Sequence, residues 1–286
     1  MVTIEKLTAQ VENKNLLFHY TSYLSALSIV IGNNLRMNSL SKMNDPLEYG
    51  KVYTGFQIWG NQTNEEIMEL HHQLSTANDN RNSFIRLLSF SVDDLHFDDE
   101  VFRKEVFYNN SLNHGWARTR MWAQYADAHK GICLIFNKDK MITYLEQIPN
   151  TKAVTGKIKY SNDFSEFNEA MTPTLTEDGI NKDFSNFFME DDKKRFLFQK
   201  CDDFLAEQEY RLVLISKSFE KDKPYIFDFK DSLEGIIISN LFDLDNNFAA
   251  LSKAAEINNL PIFFIEWKHG TPNMYQLNKT KKADGV

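Results

Sequence analysis

The sequence predicts an α+β fold in which mixed, mainly antiparallel central sheets are flanked by helices. Strand-like apolar runs alternate with helical patterns without a strict βαβ rhythm. The last third is dense in strands, with EYRLVLI, PYIFDF, EGIIIS and PIFFIEW following one another. Composition supplies the third observation: 42% hydrophobic residues, 13% aromatic, and 23 phenylalanines against 11 glycines suit a packed core and not a low-complexity chain.

The elements follow in order. LLFHYTS (16–22) reads as a short apolar strand running into a turn. Alternation puts Leu17, His19 and Thr21 on one face, Phe18 and Tyr20 on the other. His19 is then either a satisfied core histidine or a ligand contact. Tyr23 to Asn33 is a helix with Leu24, Leu27 and Ile31 on one face and Val30 beside it, capped by Ser22 and stopped by Gly32, Asn33 and Asn34. Leu35 to Met37 is extended. In the polar loop SLSKMNDPLEYG, the Asp45-Pro46 step excludes a helix at Asp45 and starts one at Pro46.

Residues 61–82 are polar and helical, with Ile67, Leu70 and Leu74 on one face, and Phe84 to Val92 is a core strand. Residues 93–115 form an insertion of mixed charged and aromatic character. ARTRMWAQYADAHKG is a short helix ending at Gly131, GICLIF an unbroken strand of a sheet centre, and KIKYS a further strand. A helical insertion is expected over about 163–195, and a helix over Asn246 to Asn258 with Phe248, Leu251 and Ala255 on one face. Residues 1–269 are expected as one domain and 270–286 as a flexible tail.

A formal net charge of −8 disfavours non-specific duplex binding and leaves nucleic acid as a target at most. With no basic-then-apolar leader and no apolar run near the roughly 20 residues of a membrane helix, the expectation is a cytoplasmic protein without a membrane partner. Cys133 and Cys201 offer neither a disulfide framework nor metal-ligand spacing.

Four stretches combine aromatic, polar and charged residues at the ends of apolar elements: FHYTS, SKMNDPLEYG, MWAQYADAHKG and AEQEYR. Trp122 and Tyr125, three apart on a helix, can face one neighbour. Glu207, Glu209 and Arg211 alternate along an expected strand and so share a face, and buried carboxylates need partners or a purpose. Asn44 and Asp45 either form an Asx turn before Pro46 or border a cleft. Arg36 is either a surface arginine or a diphosphate contact.

In order, LLFHYTSYLSALSIV, MNDPLEYG, SFS, MWAQYADAHKGICLIF, a lysine followed by EQEYRLV, and EGIIIS resemble, across about residues 16–240, a bacterial family known as domain of unknown function 2971. A more remote resemblance is to the ADP-ribosyltransferase superfamily. There a first strand ending in histidine, a second strand leading to a tyrosine-bearing helix, and a late strand with a glutamate before a tyrosine come in the same order.

That resemblance implies NAD as a substrate, with ADP-ribose passed to a macromolecular acceptor or NAD hydrolysed, in a toxin or phage-defence setting. It makes His19 a ribose contact, Thr21 a supporting contact, Tyr125 the aromatic against nicotinamide, Glu209 the catalytic acid and Glu207 the other glutamate of a Glu-x-Glu pair. Tyr20, Arg36, Asn44, Asp45, Trp122 and Arg211 complete the candidate binding set, and no metal is implied. The residue types suit the reaction. A carboxylate stabilises an oxocarbenium-like charge as it forms, and an aromatic face attracts a cationic pyridinium. The competing expectations are a nucleotide-sensing protein without catalysis and an RNA phosphotransferase-like enzyme on the same fold.

Overall fold

The computed structural model describes residues 15–43, 45, 57–58, 63–93, 114–163, 174–175, 197–269 and 271–277. The chain opens with β1 (Leu16–Thr21), α1 (Tyr23–Gly32) and β2 (Asn34–Met37), followed by a 3-10 turn at Leu40–Lys42 and β3 (Gln57–Ile58). Then come α2 (Asn64–Phe84), β4 (Ile85–Ser91), α3 (Thr119–Tyr125), β5 (Ile132–Asn137), α4 (Lys138–Glu146), β6 (Lys152–Lys157), β7 (Lys159–Tyr160) and β8 (Thr174–Leu175). After β9 (Gln199–Lys200) a 3-10 helix, Asp202–Glu207, leads into β10 (Glu209–Ile215). β11 (Tyr225–Asp228), β12 (Leu233–Ser239), α5 (Leu244–Ile257), β13 (Ile262–Lys268) and β14 (Thr271–Gln276) complete it.

Eight strands form one sheet in the order β14-β13-β12-β5-β1-β4-β10-β6. Every pairing is antiparallel except β12 with β13, which α5 joins as the crossover a parallel pair requires. The α+β class and the mainly antiparallel sheet are therefore as expected. GICLIF, as β5, lies inside the sheet between β12 and β1, and its five apolar residues are buried from both sides.

Alternation sorts the strands onto two cores. Leu17, Leu88, Phe90, Leu134, Phe136, Leu212 and Ile236 face α1, α4 and α5, while Phe18, Tyr20, Cys133, Ile135, Ile237 and Phe263 pack with Trp116 and Trp122 on the other side. Burial pushes the Cys133 thiol well above its ordinary value, so it behaves as a small apolar side chain.

The helix ends are built as their sequences suggest. Ser22 accepts from the Ser25 amide, Asn33 closes α1 in the left-handed conformation, and Thr63 with Glu66 forms a capping box on α2. The apolar face of α1 differs from expectation: Leu24 is 74% and Ile31 67% exposed, whereas Ala26 and Val30 are buried. YLSALSIVIG is apolar almost all round, and the buried stripe is the one that seats small Ala26 on the core. α4, which has no marked apolar run, is fixed by Met141 and Leu145 and capped by Asn137.

Two further expectations change. Residues 271–276 form an edge strand paired with β13 instead of a flexible tail, while 278–286 lie outside the described residues. The expected helix from Pro46, the insertion at 94–113 and the helical insertion, apart from residue 163 and β8, also lie outside them. Among the described residues no helix is long and apolar enough to cross a membrane.

Candidate functional site

β1 and β4 are neighbours in the sheet, yet they pair at one position, Phe18 with Ser91. Beyond that point they part. On its far side β4 stays zipped to β10 over seven positions, and β1 to β5 over six. The end of β2 enters the gap and bonds to β4: Asn38 N–H donates to Leu87 O at 3.2 Å, and Leu87 N–H to Asn38 O at 2.9 Å.

Ladder parity then fixes what faces the opening. Val92 donates to Gln208, so alternate residues of β4 direct their main-chain groups toward β10 and the others, Ser89 included, toward the gap. Lys138 donates to Asn15, which by the same count turns the main chain of Tyr20 toward the gap. A split sheet thus offers main-chain groups of Tyr20 and Ser89 to whatever occupies it.

A cleft of about 660 Å³ runs through this split. It draws on both faces of the sheet: Ser25, Ser28 and Arg36 from α1 and β2 on one side, Met121, Tyr125, Lys200 and Glu207 on the other. His19 lies at the parting strands, its Nδ1 3.3 Å from Ser89 O and its ring 5.5 Å from Phe90. Burial pushes the imidazole below its ordinary value, against a smaller opposite effect of the Ser89 hydrogen bond. A neutral ring that donates through Nδ1 has Nε2 as an acceptor.

The chain reaches the carboxylates through a turn, not a strand. Glu207 ends the 3-10 helix, Gln208 is left-handed with φ 44° and ψ 56°, and Glu209 begins β10. The expected alternation of Glu207, Glu209 and Arg211 along one strand therefore fails at Glu207, although both carboxylates still converge on Lys200. The Lys200 ammonium lies 2.8 Å from an oxygen of each.

The two glutamates differ in what they have left to offer. Glu209 receives the Arg211 guanidinium on both oxygens, at 2.6 and 3.2 Å, and Lys200 besides. Burial works against its charge, but Arg211 and Lys200 outweigh burial and hold the carboxyl at about 2. Its main-chain N–H donates to the Tyr160 hydroxyl at 2.8 Å. Glu207 takes one donor on each oxygen: Tyr125 Oη at 2.9 Å on Oε1 and Lys200 on Oε2. Its carbonyl accepts from Ser91 Oγ at 2.9 Å. A carboxylate has about four lone-pair sites, so Glu207 keeps acceptor capacity for a ligand hydroxyl.

Tyr125 sits at the last residue of α3, directly before a turn in which Asp127, Ala128 and His129 are left-handed, with φ of 48°, 50° and 71°. That conformation is costly for residues other than glycine, and main-chain bonds hold it: Gly131 to Ala126 at 2.7 Å and His129 to Trp122 at 3.0 Å. A Cβ on Gly131 would come within 2.3 Å of the Thr21 carbonyl, so glycine is what lets this turn lie against the end of β1.

The split brings together His19, Tyr20, Thr21, Arg36, Tyr125, Glu207 and Glu209 of the expected site. Tyr20 contributes main chain: its hydroxyl donates to Gly115 O at 2.6 Å and its ring packs edge-on to Trp122. Trp122 does not share a neighbour with Tyr125 in the cleft. It is fully buried and donates to Trp116 O at 2.8 Å, because α3 lies with that face on the core. Arg211 is 1% exposed and committed to Glu209 and Leu197 O, so it anchors a carboxylate and does not line the cleft. Asp45 is buried away from the lining, and Asn44 lies outside the described residues.

Lys200, Ser89 and Ser91 were not expected. The serines had a signal, since SFS places polar residues at alternate positions of a core strand. Lys200, a single lysine in FLFQKC, had no periodic signal, only the lysine that precedes EQEYRLV in the family resemblance. Among the described residues no three His, Cys, Asp or Glu side chains converge to hold a metal ion.

No curated protein and no solved structure matches the chain. Residues 121–212, from the start of MWAQYADAHKGICLIF through EQEYRL, match the model of a family described as "Protein of unknown function (DUF2971)", which supports the resemblance to that family.

Proposed function

We propose that the split binds NAD and that the protein cleaves its ribose–nicotinamide bond, passing ADP-ribose to an acceptor or to water. The observation that carries this is the meeting, in one cleft, of a neutral histidine acceptor, a tyrosine and a carboxylate with spare lone pairs.

His19 Nε2 accepts from a ribose hydroxyl, and the Tyr125 ring faces the nicotinamide. Glu207 accepts from a second ribose hydroxyl and stabilises positive charge growing on the sugar. The C–N bond breaks with its electron pair leaving on nicotinamide, which departs neutral. The acceptor's lone pair then bonds to the ribose carbon, and its proton passes to Glu207. Arg36 and Lys42, exposed on the α1–β2 side of the cleft, suit the diphosphate. The working carboxylate in this reading is Glu207, with Glu209 as its anchored neighbour, because Glu209 already carries Arg211 on both oxygens and Lys200 besides.

Nicotinamide release from NAD by the purified protein tests the reading. Release abolished by Glu207→Gln supports it, and no release by the unsubstituted protein sinks it. One observation favours a second reading, nucleotide sensing without cleavage: the two carboxylates are balanced by the two cations Lys200 and Arg211. NAD binding with no nicotinamide release supports that one.

A further inference from the structure

The NAD reading leaves a buried charge in the cleft wall without a role. Lys200 is 6% exposed at the inner wall of the cleft, although lysine is normally a surface residue. It directly precedes the 3-10 turn's cap, Cys201, and Glu207 ends that turn, so the turn folds back to set the two side chains 2.8 Å apart. The ammonium also lies 4.9 Å from the Phe204 ring centre, which further fixes its place.

Lys200 also pairs with Glu209, but that carboxylate has Arg211 on both oxygens as well, so Glu209 alone does not account for a buried lysine here. What Lys200 adds is Glu207. It occupies Oε2 while Tyr125 occupies Oε1, so the plane of the carboxylate is set from both ends. Without the shared cation, two neighbouring buried carboxylates repel, and one turns away or takes up a proton.

We propose that Lys200 is the positioning residue of Glu207, keeping its carboxylate turned toward Tyr125 and the cleft. This rests on the reading of the cleft as an NAD-cleaving site. A group that stabilises charge in a transition state must be aimed before the charge appears, and a short ion pair from a fixed turn supplies that aim.

The test has a substrate-free arm and a kinetic arm, both on the full chain. In protein labelled with ¹³Cζ-tyrosine, the Tyr125 signal, identified through Tyr125→Phe, reports its bond to Glu207. Lys200→Met and Glu207→Gln are expected to shift it alike. An unmoved Tyr125 signal in Lys200→Met overturns the proposal, whatever the protein does with NAD. With NAD, Lys200→Met is expected to lower kcat for nicotinamide release roughly 100-fold and leave KM within about twofold. Added ethylammonium is expected to recover part of the loss. A fall confined to KM overturns the positioning role.

If Lys200→Met does not fold, Lys200→Arg carries the test, since a planar fork cannot sit between two carboxylates as a point charge does. It is expected to shift the Tyr125 signal and lower kcat about tenfold, and an unshifted signal with full kcat overturns the proposal. A wild-type protein that releases no nicotinamide defeats the NAD-cleaving reading, and the tyrosine signal alone then decides what Lys200 does.

Discussion

β1 has two edges, and they live differently. Toward β5 it is zipped over six positions; toward β4 it touches at one. The residues are the same, so strand propensity does not separate the edges. What separates them is the end of β2, which takes over Leu87 of β4 through Asn38 and leaves β1 without a ladder partner there. On the zipped edge the main chain is satisfied by main chain. On the split edge it is left to side chains, as His19 serves Ser89 O. A candidate site arises where a sheet stops pairing while each half keeps its own ladder.

The largest effect is expected where the β4–β10 half is held by charge. Arg211→Met strips Glu209 of its fork and is expected to destabilise the protein by about 3–5 kcal/mol, read by denaturant unfolding, as for any buried pair that loses one member. A loss below about 1 kcal/mol would mean that Lys200 alone suffices for Glu209.

Glu207→Gln comes next. Nicotinamide release is expected to fall by about 10²–10³ with NAD affinity kept, whereas Glu209→Gln should act chiefly on stability. The reverse pattern returns the working role to Glu209.

At the split itself, His19→Ala is expected to weaken NAD binding about tenfold, the worth of one directed hydrogen bond. The melting temperature should move little. A large loss of stability with unchanged affinity makes His19 a core residue. Arg36→Ala is the mildest, a few-fold loss of affinity that fades as salt rises.

Acid separates the two halves again. Glu209 is held near 2, below its ordinary 4.5, so its contribution is full above about pH 4.5 and is lost as pH falls toward 2. Glu209→Gln should remove that slope from the acid unfolding curve. His19 is pushed below its ordinary 6.5, so the unfolded ring binds protons the buried one resists. Stability should fall as pH drops below about 6.5, and His19→Asn should flatten that part of the curve.

Much of this was legible in the sequence. LLFHYT, IRLLSFS, ICLIFN, EYRLVLI and LEGIIIS announce their strands by apolar runs and alternation, and Ser22 and Asn33 announce the ends of α1. The rest depends on tertiary choices. α4 begins with KDK and shows little apolar pattern, and TPNMYQ of β14 is polar enough to read as a tail. The orientation of α1 was hidden because it is apolar on every side but the one that carries Ser25 and Ser28. Within the candidate site, His19 and Tyr125 drew notice by their position at element ends, and the resemblance supplied the roles expected of them. The turn at Gln208 and the arrival of Lys200 between the glutamates drew no notice, since neither leaves a periodic trace. Trp122 was misplaced because spacing on a seven-residue helix does not say which face meets the core.

The central claim is that the gap between β1 and β4 is where the ribose sits. A crystal structure of the Glu207→Gln protein with NAD tests it most directly. The nicotinamide ribose is expected between Tyr20 and Ser89, with a hydroxyl within hydrogen-bond reach of His19 Nε2 and the pyridine ring against Tyr125. NAD bound elsewhere, with the split empty, would contradict it.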